Sequence, residues 1–127
     1  MPARSLRRIL LSTLVLLAAA APASAASSQA SFDGRWSAVI ITDAGTCDRS
    51  YRYGLVVSGG RIHYAGDSSV AISGGVDSRG RVSVSLRSGQ SAARGSGRLS
   101  RSDGGGRWQG VSSGARCSGR WMAERLG

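Results

Sequence analysis

The tripeptide Gly-Arg-Trp occurs at residues 34–36, 106–108 and 119–121, and these three copies contain every tryptophan of the 127-residue chain. In a β-strand neighbouring side chains point to opposite faces, so each copy would turn its arginine away from its glycine and tryptophan. The first copy precedes Cys47, and the last follows two residues after Cys117. We therefore interpret the copies as parts of the first strand and the last two strands of one small β-domain. The predicted core residues are Trp36, Trp108 and Trp121.

From residue 32 onward, short runs of alternating apolar and polar residues are separated by turns rich in Gly, Ser and Asp. A period of two residues is typical of half-buried strands. Eight strands are predicted, at residues 32–42, 50–58, 61–65, 69–76, 81–87, 92–100, 106–111 and 115–124. Most connections are short, which favours a meander, and a meander of eight strands removes its exposed edges by closing. The sequence predicts an all-β, eight-stranded antiparallel barrel, with an open sandwich as the alternative.

The first 25 residues have the organisation of a secretory signal peptide. Arginines at positions 4, 7 and 8 precede an apolar stretch at 9–21, and Ala23-Ser24-Ala25 forms a small-residue cleavage site. The apolar stretch is too short to span a bilayer. We expect residues 1–25 to be removed, which leaves a flexible segment at 26–31, one domain at 32–127 and no transmembrane segment. The mature protein would be secreted or periplasmic.

Two cysteines in an oxidising compartment favour a Cys47–Cys117 disulfide. Such a bridge would join the end of the first strand to the last strand. For so long a loop, the chain-entropy treatment gives a contribution of about 4 kcal/mol, which is close to the whole folding free energy of many small domains. Two free buried thiols are the alternative.

The chain is strongly basic. All 17 of its basic residues are arginines, against seven acidic residues, and it contains neither Lys nor Asn. A basic excess favours an anionic partner, although GC-rich codon usage also enriches arginine. Four arginines on the predicted fifth and sixth strands would point outward together and form one guanidinium face suited to sulfate, phosphate or carboxylate groups. These residues are Arg81, Arg87, Arg94 and Arg98.

The sequence does not predict an enzyme. His63 is the single histidine and would face outward on its strand, and the carboxylates are scattered through turns. Gly110–Gly114 matches the Gly-x-Ser-x-Gly pattern of hydrolases, but that pattern acts at a strand–turn–helix elbow in a longer chain. No catalytic residue, metal ligand set or cofactor is therefore predicted.

The Gly-x-Trp pattern at Gly34 and Trp36 resembles the opening motif of lipocalins and avidin-like proteins. The resemblance implies that Trp36 closes one end of the barrel and that an arginine near the end of the chain, Arg120 or Arg125, lies over its ring. The chain is short for a lipocalin, and three tryptophans and three tyrosines are enough to fill a small barrel. We therefore expect a packed interior rather than a ligand pocket.

A wider pattern resembles small secreted bacterial proteins of unknown function. It comprises F-D-G-x-W at 32–36, C-D-R-x-Y-R-Y at 47–53, G-S-G-R-L-S at 95–100 and C-S-G-R-W-x-A-E-R at 117–125. The resemblance implies a secreted single domain and no particular chemistry.

These features favour a non-enzymatic binding module. Its arginine face would bind an anionic envelope component, such as a polysaccharide or lipopolysaccharide. Aromatic residues do not interleave with those arginines, which argues against specific nucleic-acid binding. One alternative is a periplasmic protease inhibitor, similar in architecture to bacterial metalloprotease inhibitors, that inserts residues 26–31 into a protease cleft. The other is a structural or adhesive envelope protein without a discrete site.

Overall fold

A computed structural model describes residues 13–19 and 32–127 of the chain. In it each strand pairs antiparallel with the next, and the last strand closes on the first to form a barrel. The strands are β1 (Gly34–Ala44), β2 (Ser50–Ser58), β3 (Arg61–Tyr64), β4 (Ala71–Val76), β5 (Arg81–Ser88), β6 (Ser91–Leu99), β7 (Asp103–Ser112) and β8 (Ala115–Arg125). The predicted all-β, eight-stranded antiparallel barrel is confirmed. Residues 13–19 are exposed and lie in neither helix nor strand. The rest of the predicted signal peptide and the segment at 26–31 lie outside the described residues.

The seam that closes the barrel runs along nearly the whole of β1 and β8. It extends from Trp36 opposite Arg125 to Ala44 opposite Ser118. The Cys47–Cys117 disulfide forms as predicted, with an S–S distance of 2.03 Å and a Cα–Cα distance of 6.1 Å. Cys47 lies in the β1–β2 connection. The disulfide is therefore at the end of the seam where Ala44 pairs with Ser118, away from the end where Trp36 pairs with Arg125.

The second and third Gly-Arg-Trp copies face each other on β7 and β8. Gly106 pairs with Trp121, and Trp108 pairs with Gly119. Each indole therefore lies across a residue without a side chain and reaches the strand beyond it. The Trp108 Nε1–H donates to the Ile41 carbonyl on β1 at 2.9 Å. This reciprocal arrangement accounts for the glycine that precedes Trp108 and Trp121 by two residues.

Trp121 makes the matching contact in the other direction. Its Nε1–H donates to the Ser96 carbonyl on β6 at 3.0 Å, and a Cβ on Gly97 would lie 2.7 Å from its ring. The absence of a side chain at Gly97 on β6 thus makes room for the Trp121 ring. Both indoles lie along the barrel wall instead of pointing to its centre.

The strand predicted at 106–111 begins three residues earlier, because β7 begins at Asp103 and includes three consecutive glycines. Glycine is unfavourable in strand interiors unless another backbone approaches closely. Such an approach occurs here: a Cβ on Gly106 would lie 2.7 Å from the Gly97 Cα, and one on Gly104 would lie 3.1 Å from the Leu99 Cα. The glycines allow β6 to approach β7 closely.

Candidate functional site: an apolar cavity and an arginine face

The barrel encloses an apolar cavity of about 250 Å³. Its wall is formed by aliphatic and aromatic side chains from around the barrel, among them Ile40, Leu55, Ile72, Val84, Leu86 and the three tryptophans. The interior therefore combines a buried hydrophobic core, which includes Trp36, Leu99 and Trp121, with a cavity that this core does not fill. Trp36 and Trp121 belong to the buried core and Trp108 packs against it, and all three also line the cavity.

One end of the cavity is closed by Trp36, which is only 1% exposed. Its Nε1–H donates to the Phe32 carbonyl at 2.9 Å, and Phe32 itself is buried. The Arg125 guanidinium lies 4.8 Å from the centre of the Trp36 ring, within the range of a cation–π contact. Of the two candidate arginines, it is thus Arg125 that covers Trp36, whereas Arg120 lies on the outer face and forms an ion pair of 3.6 Å with Asp43.

Arg125 is held over Trp36 by bonds to the backbone. Its Nη1 donates to the Asp33 carbonyl at 2.6 Å, and its Nε donates to the Arg101 carbonyl at 2.5 Å. Asp33 in turn accepts a bond from the Gly59 amide at 3.1 Å. These contacts join the residue before β1 and the end of β8 to the β2–β3 and β6–β7 turns, and so close this end of the barrel.

The opposite end of the cavity reaches the surface. There it is bordered by half-buried hydroxyl side chains and by the exposed Val111. The hydroxyl residues are Tyr51, Tyr53, Ser88, Ser91 and Ser112. Two of them form a pair across β6 and β7, because the Ser91 and Ser112 hydroxyl oxygens are 2.8 Å apart. The mouth is thus polar, while the interior is apolar.

Three tyrosines form a cluster on β2 and β3, and two of them, Tyr51 and Tyr53, border the cavity at its mouth. The rings of Tyr51 and Tyr53 are stacked with centres 6.3 Å apart, and Tyr64 meets Tyr53 edge-on at 5.9 Å. Burial, followed by the effects of Tyr51 and Tyr64, raises the pKa of Tyr53 above its ordinary value. Like any tyrosine hydroxyl at neutral pH, that of Tyr53 is protonated and can donate a hydrogen bond.

The disulfide fixes another part of the mouth. Cys47 borders the cavity, and its amide approaches the Cys117 Sγ at 3.1 Å. The buried Thr42 hydroxyl donates to the Asp48 carbonyl at 2.6 Å, and the Asp48 amide donates to the Tyr51 hydroxyl at 3.2 Å. The β1–β2 connection is consequently held at the rim by covalent and hydrogen bonds.

The four arginines of the predicted anion-binding face lie on the outside of β5 and β6, and all are exposed. Arg81 and Arg98 are directly opposite each other, an arrangement that places like charges close together and is unfavourable in the absence of an anion. Within residues 32–127 none of the four forms a salt bridge. The basic surface also continues beyond the prediction, because Arg107 on β7 lies opposite Arg120 on β8.

Arg116 is a further residue of this surface that the sequence reasoning missed. It is exposed on β8 and borders an outer groove together with Arg87 and Arg94. The strand pairings that bring it there, β6 with β7 and β7 with β8, place residues of β5 and β8 on one surface. Arg116 could have been identified only from the register of the β6–β7 and β7–β8 pairings.

His63 lies exposed on β3, and no cluster of three or more His, Cys, Asp or Glu residues that could bind a metal occurs in the described parts of the chain. In the same residues no helix is long and apolar enough to cross a membrane. The disulfide is consistent with an extracytoplasmic protein. No family model, curated protein or solved structure matches the chain.

Proposed function

We propose that the protein is an exported, non-enzymatic binding protein that holds a small apolar ligand inside its barrel. The observation that carries the proposal is the cavity of about 250 Å³, which is closed by Trp36 and bordered by hydroxyl groups at the other end. Apolar protein cavities of only ~150 Å³ already admit benzene or xenon. Drug-sized ligands occupy pockets of roughly 300–1,000 Å³. The ligand is therefore a short alkyl chain or a single small ring.

Export rests on residues 1–25, whose organisation is that of a signal peptide, and on the disulfide. The destination is the periplasm or the medium, where apolar molecules are poorly soluble and a carrier has a use. Cleavage would leave a mature chain that begins at about residue 26.

The three tryptophans report on binding, because all of them border the cavity. The purified oxidised protein is titrated with primary alcohols from butanol to decanol while tryptophan fluorescence is recorded. Each buried methylene contributes about 0.8 kcal/mol, so Kd should fall about fourfold per carbon and then level off when the cavity is full. A fluorescence change that does not saturate, or a Kd that does not depend on chain length, would contradict the proposal.

A pair of alanine variants separates cavity binding from surface adsorption. Ala93→Leu adds volume at a half-buried position that borders the cavity, whereas Ala71→Leu adds the same volume at an exposed position on β4. The larger side chain in the cavity takes the place of about three ligand methylenes, which predicts a loss of affinity of roughly 50-fold for Ala93→Leu. Ala71→Leu should bind like the wild type, and equal affinities for the two variants would contradict the proposal.

A second proposed function is binding of an anionic envelope component, such as a polysaccharide or lipopolysaccharide, by the arginine face. It is favoured by the direct opposition of Arg81 and Arg98, neither of which forms a salt bridge within residues 32–127. An anion bound between opposed guanidinium groups relieves their repulsion and accepts hydrogen bonds from both. Arg87 and Arg94 extend the same surface along β5 and β6.

The test is a thermal-shift titration with a heparin-like polysaccharide and with lipopolysaccharide at low and physiological salt. Binding should raise Tm to a plateau that survives physiological salt. Replacing Arg81, Arg87, Arg94 and Arg98 by Ser should abolish the shift. A control with the same loss of charge replaces four exposed arginines elsewhere, Arg35, Arg49, Arg61 and Arg79. If the ligand raises Tm equally in the two quadruple variants, the binding depends on net charge alone and the proposed arginine face is rejected.

A further inference from the structure

The outer groove near the mouth is a row of four residues with an arginine at each end. The pairings Arg87–Ala92, Ala92–Val111 and Val111–Arg116 place these residues side by side across β5 to β8. All four are exposed, and Val111 is 42% exposed although it is apolar. Strands are about 4.8 Å apart, so the two arginines flank a short apolar floor. An arginine side chain is long enough to extend over such a floor from either side.

Arg94 supplies a third guanidinium to the same groove. It lies in the next outward row of β6, opposite Ser85 and Gln109, and therefore diagonal to Arg87 at a Cα–Cα distance of roughly 7–8 Å. Within residues 32–127 none of the three arginines forms a salt bridge. The groove thus combines three positive groups with a floor of Ala92 and Val111.

The groove and the cavity are adjacent at the rim. β6 and β7 pair as far as Ser91 and Ser112 and then turn away into different hairpins, β5–β6 and β7–β8. This separation leaves a notch between the two hairpin tips, with the Ser91–Ser112 hydroxyl pair as its floor. Ala92, Arg94 and Val111 border both the inner cavity and the outer groove. A molecule that leaves the cavity through the notch therefore meets the arginines directly.

We propose that the cavity and this groove form one site for a single-chain anionic amphiphile. Its alkyl tail lies in the barrel, it crosses the rim at the Ser91–Ser112 pair, and its carboxylate, sulfate or phosphate head group is bound by Arg87, Arg94 and Arg116. The proposal rests on the proposed function as an apolar-ligand binder and specifies the class of ligand. Guanidinium groups bind all three head groups through paired N–H donors.

The test compares ligands that share a tail and differ in head group: decanoate, decyl sulfate, decanol and decyltrimethylammonium. Each is titrated below its micellar concentration into the oxidised protein, with tryptophan fluorescence as the signal. One exposed ion pair changes an equilibrium by roughly 1.4- to fivefold, so three arginines predict that the anions bind on the order of tenfold more tightly than decanol. The cation should bind more weakly than decanol, and the preference for anions should shrink at high salt because ions screen exposed charges.

Two triple variants assign the preference to the groove. The first replaces Arg87, Arg94 and Arg116 by Gln. The second replaces Arg61, Arg79 and Arg101 by Gln, removing the same charge from exposed positions at the sealed end. The ratio of the decanol Kd to the decanoate Kd should approach one in the first variant and stay near its wild-type value in the second. A ratio that is equal in the two variants would overturn the assignment.

The remaining outcomes separate this inference from the proposed function. If wild-type protein binds decanol and decanoate equally well, the cavity function stands and the head-group site is rejected. If it binds neither, both proposals fail. A further titration with inorganic sulfate alone distinguishes a site for an amphiphile from a site for a simple anion. Sulfate that displaces decanol, or that raises Tm as much as decyl sulfate does, would contradict a site in which tail and head group act together.

Discussion

Replacing Gly119 by Ala is the sharpest test of the reciprocal Gly–Trp packing. Gly119 is buried on β8 opposite Trp108, whose indole crosses it to reach the Ile41 carbonyl. A Cβ there would overlap the Ile41 carbonyl oxygen and lie 2.9 Å from the Asp43 amide nitrogen. Both contacts are with backbone atoms of β1. The added methyl group can therefore be accommodated only by moving β1 away from β8.

The expected loss of stability follows from two effects. Overpacking a tightly packed site costs about 1–3 kcal/mol, and displacing the Trp108 indole from its carbonyl costs about 1 kcal/mol. Together they predict a loss of about 3 kcal/mol in the free energy of unfolding. For a domain of this size the corresponding fall in Tm is roughly 12–24 °C.

The assay is urea unfolding of the oxidised protein, followed by tryptophan fluorescence and by far-UV circular dichroism. Gly54→Ala is the matched control, because Gly54 is exposed on β2 and its added Cβ would meet the Ala65 Cβ at an ordinary 3.5 Å. The control should change stability by less than about 0.5 kcal/mol. If Gly119→Ala is as stable as Gly54→Ala, glycine is not required beneath the indole and the packing argument is wrong.

Three further predictions concern other parts of the chain. Reducing the Cys47–Cys117 disulfide should lower the free energy of unfolding by about 4 kcal/mol, measured by urea unfolding with and without reductant; an unchanged midpoint would contradict this. Arg125→Met should lower Tm, because it removes the contact with Trp36 together with the charged bonds to backbone carbonyls, and calorimetry would detect the change. Bonds from the Arg81 and Arg79 amides lower the pKa of Asp77, so its stabilising effect is present above its unfolded pKa and is lost as pH falls through the lower folded value. The stability difference between the wild type and Asp77→Ala, followed by urea unfolding from pH 7 to pH 2, should therefore disappear at the acid end.

The strands could be predicted because their signal is local. Alternation on β5, where Val82, Val84 and Leu86 point inward, depends only on adjacent residues. The disulfide followed from the count of cysteines and from their places at the two ends of the fold. The start of β7 was misplaced because a run of glycines is typical of a turn. Here Gly104 and Gly106 are strand residues, and the absence of their side chains allows the close approach of β6.

The cavity could not be predicted, because it depends on side-chain direction rather than on composition. The three tryptophans and three tyrosines together are large enough to fill a small barrel, but Trp108 and Trp121 each lie opposite a glycine on the neighbouring strand and extend across it. Arg116 was missed for a related reason. It is 22 residues from Arg94 in the chain, and two strand pairings are needed to bring it into the same groove.

The hydrogen bonds of the three indoles determine what the interior can recognise. Every tryptophan N–H is already bonded to a backbone carbonyl, of Phe32, Ile41 or Ser96, so the rings present carbon surfaces to the cavity. An apolar cavity of this kind discriminates between ligands by their length and width and discriminates poorly by their chemical identity. Under the proposed function, selectivity would reside at the rim, and the protein would suit a changing mixture of related molecules better than one defined compound.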